Sequence, residues 1–220
     1  MRALTTPKTQ GTRRVRKDPR REITRVALIE KAETMFADAG VEGVSLRQIG
    51  VAIGSGNTNV VAYHFGSKEA LIEAIFMHRL PALDARRAEL LARVKKAGRA
   101  HDLAALMHAL WQPALEQKNA HGRHSYVAFL ASISRANWGW MRGAVDESFP
   151  VTKEIVALIA AALPKKAHRF LRERLRISFA IIAAAVRFCD VNYPHNARRT
   201  KDVLADTLRM ATAAMAAPAE

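Results

Sequence analysis

Residues 54–71 read GSGNTNVVAYHFGSKEAL. Two close glycines, Gly54 and Gly56, then polar residues and a helix start, could cradle a phosphate. They could equally be the turn and second helix of a DNA-reading pair. Phosphate loops make strict demands. A dinucleotide loop needs G-x-G-x-x-G after a strand, but Asn59 holds the third glycine position and a capped helix precedes the turn. The pattern G-x-x-x-x-G-K-[ST] is also absent. Nucleophilic chemistry finds no G-x-S-x-G elbow and no nucleophile-base-acid set. Cys189 sits in an apolar stretch with only Arg187 as a basic neighbour on its helix face, and reads as a buried apolar residue. His121 and His124 stand three apart without a third ligand type nearby, too little for a metal. Beside Gly122 both read as surface histidines. The expectation is a protein that is no enzyme and uses no cofactor or metal.

The elements that must position these residues read as helices. Half of the 220 residues are hydrophobic, enough for a substantial core, and good helix formers dominate over β-branched clusters. Residues 22–39 carry Ile29, Ala32 and Phe36 at helical spacing, and Gly40 suits the C-terminal turn. Ser45 and Gln48 form a capping box for a short helix over 46–53. A third helix is expected over about 57–65. Ser67 caps a fourth, running to about Lys96 with a kink at Pro81. Further helices are expected over 102–118 (bent near Pro113), 122–137, 165–191 and 198–216. Residues 139–163 look less regular, because Gly143 and Pro150 interrupt them. No strand is expected.

Charge points to a polyanion. The net charge is +15, and residues 1–21 hold eight Lys or Arg against one acid, Asp18. Such an arm gains affinity for nucleic acid by releasing counterions, and equally suits a solvated tail. The single cysteine fits a reducing compartment. No signal peptide is visible, and the longest uncharged apolar run, Ile177–Val186, is short of a bilayer span. A cytoplasmic protein without membrane contact is expected.

Two short helices joined by a glycine-containing turn have the shape of a helix-turn-helix. The exposed face of the second would present Asn57, Thr58, Asn59, Tyr63 and His64, with Val60, Val61 and Phe65 turned inward. Polar groups on that face suit base-edge and phosphate contacts. Tyr63 could pack its ring and still reach a phosphate, and His64 could simply cap the helix.

Residues 22–71 resemble the N-terminal domain of TetR-family transcriptional regulators. The resemblance rests on ALIEKAETMFADAG, then VEGVSLRQIG, then YHFGSKEALI, in that order. It covers roughly the first third of the chain. It implies an all-α fold: a three-helix DNA-binding domain and a larger helical domain for ligand binding and dimerisation. Residues 1–21 are then a basic arm, 22–68 the helix-turn-helix domain and 69–220 the effector and dimer domain. By position, Ser45 and Arg47 early in helix two, Asn57, Thr58 and Asn59 at the start of the recognition helix, Tyr63 and His64 near its end, and Lys68 at the start of helix four become DNA contacts. The turn is one residue longer than the commonest family spacing, which leaves the register of 56–60 open.

In the second domain Leu171, Leu175, Ser178, Ile182, Ala185 and Cys189 form one stripe, and Phe170, Ile177, Ile181, Ala184 and Phe188 another. A helix apolar all round must be buried on two sides, one of them a partner subunit. Leu171, Leu175, Ile182, Cys189, Leu204, Leu208, Ala211 and Met215 are the expected homodimer contacts, through the last two long helices. Met107, His108, Trp111, Tyr126, Phe129, Trp138 and Trp140 are candidates to line a pocket for an unknown small-molecule effector. The leading reading is a repressor that binds a palindromic double-stranded operator as a homodimer. A weakly specific or architectural DNA binder, and an activator of the same family, stay open.

Overall fold

The computed structural model describes residues 19–57, 59–136 and 149–219. Among them the fold is all-α. Helix α1 spans Pro19–Ala39, α2 Leu46–Ala52, α3 Val60–Phe65 and α4 Lys68–Lys96. Then come α5 (Leu103–Glu116), α6 (Ser125–Arg135), α7 (Pro150–Ala162), α8 (Leu171–Asn192) and α9 (Ala197–Ala216). None of these helices is long and apolar enough to cross a membrane.

Most elements begin where local chemistry puts them. The capping box of α2 is complete: the main-chain N–H of Gln48 donates to Ser45 Oγ, and Gln48 Oε1 accepts from the Ser45 N–H at 2.7 Å. Ser67 Oγ caps α4 by accepting from Ala70 N–H. Several boundaries differ from expectation, each for a physical reason. Proline suits the first turn of a helix, where its missing N–H costs nothing. So α1 starts at Pro19, and residues 19–21, expected in the arm, are helical. For the same reason Pro150 opens α7 instead of interrupting it. Helix α6 starts three residues late. Asn119 Oδ1 accepts from the main chain of His121 and Arg123, and Gly122 adopts a φ of 74°, closing a turn ahead of the helix. Residues Lys165–Phe170 form a separate 3₁₀ turn before α8. Helix α4 runs unbroken through Pro81, and α5 through Pro113.

Helices α1, α4 and α6 share the centre of the molecule. Leu28, Ile29, Ala32 and Phe36 form the buried face of α1. The ring of Phe129 on α6 is fully buried, with centroids 6.3 Å from Phe36 of α1, 5.6 Å from Phe76 of α4 and 6.2 Å from Tyr126. Further along α4, Arg87 Nε donates to the Leu110 carbonyl of α5 and Nη1 to Thr152 Oγ1 of α7. Asp84 accepts from the Thr152 hydroxyl and main-chain N–H, so a carboxylate caps the start of α7. Helices α8 and α9 pair antiparallel, with Ser178 Oγ donating to the Ala211 carbonyl and Arg174 Nη1 to that of Met215.

Phe129 joins three helices, so Phe129→Ala should remove about 3–5 kcal/mol of stability. The urea midpoint should fall at unchanged slope. A loss below about 1 kcal/mol would show that the α1–α4–α6 junction does not depend on this ring.

Candidate nucleic-acid interface

The first three helices and the start of α4 make a compact head. Leu28, Ile29, Val44, Ile49, Val60, Val61, Leu71 and Ile72 are buried between them. Helices α2 and α3 are joined by a turn in which Gly54 takes a φ of 74° and donates to the Val51 carbonyl, while Ser55 N–H donates to that of Gly50. A residue with a Cβ is strained there, which explains the glycine without any phosphate.

Helix α3 is shorter than expected. Asn57 Oδ1 accepts from the Asn59 N–H at 2.9 Å, and Ser55 Oγ bonds the main chain of Asn57. These side chains build the turn that precedes the helix, so Asn57 and Asn59 lie ahead of α3 and not in its first turn. Both remain exposed, and Thr58 lies outside the described residues. From α3 itself Ala62 and Tyr63 face outward, Tyr63 at 66% exposure, while His64 and Phe65 are half-buried. Phe65 packs against the core of the head.

Helix α1 supplies neighbours that sequence reasoning missed. The guanidinium of Arg21 lies 5.3 Å from the Tyr63 ring centroid, and that of Arg25 lies 5.2 Å from the Phe65 ring. Tyr63 and His64 meet edge to face at 5.3 Å. Partial burial, then the charges of Arg21 and Arg25, hold the His64 pKa below its ordinary value. The sequence placed Arg21 in the arm and gave Arg25 no role. Their spacing of four puts them on one face of α1, but only the tertiary fold brings that face to α3.

The other expected contacts differ in kind. Arg47 is exposed near the start of α2 and makes no ion pair with a described residue. The hydroxyl of Ser45 is engaged with Gln48. Lys68 is half-buried, and its Nζ donates to the Val41 carbonyl at 3.0 Å. It therefore ties the α1–α2 connection to α4.

In the second domain, a cavity of about 30 Å³ lies among α4, α5, α6 and α7, lined by Phe76, Leu80, Arg87, Leu110, Trp111, Ala114, Tyr126, Leu130 and Thr152. Of the candidate pocket residues among the described ones, Trp111 and Tyr126 line it. Met107 and Phe129 are packed into the core, His108 is exposed, and Trp138 and Trp140 lie outside the described residues. The indole N–H of Trp111 is buried without a hydrogen-bond partner among the described residues. The expected dimer contacts also need correction. Ile182, Cys189, Leu204, Leu208, Ala211 and Met215 are buried inside the protomer, and Leu171 and Leu175 are half-buried. They hold α8 to α9 and the rest of the core. The apolar face left exposed is the opposite one, with Ile177 at 56%, Phe188 at 49%, Val191 at 65% and Met210 at 58%. His124, expected at the surface, is 1% exposed and bonded to Asp190. Among the described residues no cluster of His, Cys, Asp and Glu could hold a metal ion.

Residues 28–75 match the family model described as bacterial regulatory proteins, tetR family. No curated protein matches the chain. The match runs from α1 into α4 and encloses the whole α2–turn–α3 unit. Over residues 28–75, the chain thus carries the DNA-binding domain of the tetR family of bacterial regulatory proteins.

Proposed function

We propose that the chain represses transcription by binding a palindromic operator as a homodimer, and that a small molecule bound in the second domain releases it. The observation that carries this reading is the head: Asn59, Tyr63 and Arg47 exposed around one helix-turn-helix, with Arg21 and Arg25 beside its recognition helix. Exposed polar side chains there suit base edges, and the flanking cations suit phosphates. Residues 22–68 serve as the reading head and 69–220 as the effector and dimer domain. Ser45, Asn57, Thr58, His64 and Lys68 stay within the proposed contact surface. For Ser45 and Lys68 the hydrogen bonds above make positioning the larger role.

Two features support the finer parts of the reading. Ile177, Ala180, Ala184, Phe188 and Val191 form an exposed stripe along α8, beside Met210 of α9. Helical spacing makes that stripe continuous, as an isologous contact between two copies requires. The cavity beside Trp111 supports the effector site. Its size admits water and not a ligand-sized molecule, which needs roughly 300 Å³ or more. A bound effector must therefore separate α4, α5 and α7. Since α4 also belongs to the head, effector affinity and operator affinity are linked and oppose one another.

Selection of genomic fragments by the purified protein at physiological salt should recover a short palindrome. Fragments without a shared motif would favour an architectural DNA binder. On the selected operator, Arg47→Ala and Arg25→Ala should each cost about 1–3 kcal/mol of affinity with the dimer intact. Wild-type binding by either variant removes that residue from the contact surface.

Ile177→Asp should shift the protein to monomer in sedimentation experiments, because it places a carboxylate inside an apolar contact. An unchanged sedimentation coefficient would move the interface elsewhere. Affinity should also depend on pH through His64. Its lowered pKa leaves it neutral at pH 7, and a nearby phosphate offsets Arg21 and Arg25 and raises the pKa in the complex. Binding then takes up a proton, so affinity rises as the pH falls through the bound-state value. His64→Gln should flatten that rise, and an equal slope in both proteins would show that no phosphate approaches His64.

A further inference from the structure

The head and the second domain meet at the start of α6, where two adjacent residues reach different helices. His124 Nδ1 lies 2.7 Å from Asp190 Oδ1, and its main-chain N–H donates to Oδ2 at 2.9 Å. Asp190 sits in the last turn of α8. The next residue, Ser125, donates its hydroxyl to Glu33 Oε1 on α1. The same carboxylate accepts from Arg79 Nε at 2.7 Å and Nη2 at 3.1 Å on α4. Two carboxylates thus join α8, α6, α1 and α4 in one polar chain. Glu33 and His124, the inner members of the chain, are each 1% exposed, and the end side chains Asp190 and Arg79 are 10% and 14% exposed, so water does not readily replace the partners of the inner pair.

We infer that His124 and Asp190 are positioning residues for DNA reading: they set the angle of each head on its own domain, and with it the half-site spacing the dimer accepts. This rests on the proposed dimeric operator binding. Asp190 is the immediate neighbour of Val191 and stands two residues from Phe188, both on the exposed apolar stripe of α8. A displacement of that stripe carries Asp190 with it. Through His124 and Ser125 it reaches the only buried carboxylate of α1 among the described residues. A buried charge tolerates little loss of its partners, so α1 follows α6 instead of letting the contact open. A half-site pair is a geometric specification, and the chain transmits an angle to the element that meets it.

The test uses the full-length protein, the selected operator, and versions with one base pair inserted or removed between the half-sites. Wild type should discriminate against both altered operators. Asp190→Ala should reduce that discrimination by about tenfold, within the usual range of coupling between sites. Asp190→Asn should restore most of it, because the amide oxygen still accepts from His124. Ser125→Ala leaves the Glu33–Arg79 pair in place and should act in the same direction, which keeps the question answerable if Asp190→Ala does not fold. Folded variants that keep the wild-type discrimination, or that bind all three operators more weakly by one common factor, overturn the inference and leave the proposed function standing. A wild-type protein that selects no palindrome overturns both.

Discussion

A carboxylate removed from water must find partners for its charge, and Glu33 is removed almost completely, at 1% exposure among α1, α4 and α6. The penalty for such a group is several kcal/mol even after relaxation. It is offset by a bidentate guanidinium, Arg79, and by the Ser125 hydroxyl. Burial of Arg79 works against its own charge, and Glu33 outweighs that, holding the guanidinium pKa above its ordinary value. Three helices are therefore bound to one geometry, since moving any of them strands a charge. The buried rings of Phe36, Phe76 and Phe129 stand about one helical turn from Glu33, Arg79 and Ser125 on the same three helices.

Helix α4 carries a second polar knot about two turns beyond the first. There Asp84 and Arg87 close on Thr152, and the cavity beside Trp111 lies against them. The two knots differ in their surroundings. The first has buried rings about one turn away on each of its helices, and the second borders a cavity where the Trp111 indole N–H has no hydrogen-bond partner among the described residues. The firmer stretch of α4 therefore faces the head, and the stretch beyond it borders the cavity. Cys189 belongs to neither knot. Burial, with help from the charge of Asp190, pushes its thiol pKa up, as suits an inert packing residue.

Local chemistry was legible in the sequence where a signal and its effect lie within a few residues. The capping box at Ser45, the cap at Ser67, the apolar face of α1 and the helix-turn-helix between Leu46 and Phe65 are all of that kind. The misread features depend on distant partners or on competing local options. Asn57 bonds its own turn, which delays α3, and an asparagine-rich turn reads equally well as a helix start. His124 looked like a surface residue beside Gly122, because Asp190, its partner, lies far away in the chain. The two stripes of α8 are almost equally apolar. Hydrophobicity alone could not say which one faces α9, and the inward choice goes to the stripe with Ser178, whose hydroxyl meets the Ala211 carbonyl.

The 29 residues of α4 form one uninterrupted helix with its first turns in the head and its last turns in the second domain. At 1.5 Å per residue it is a lever about 43 Å long. A tilt of roughly 5° about its far end moves its first turn by about 4 Å, slightly more than the rise of one base pair, about 3.4 Å. A helix of that length turns an adjustment too small to break any core contact into a full step along a DNA groove. Leverage of this kind lets a small opening of the cavity beside Trp111 move the head by a distance that matters on DNA.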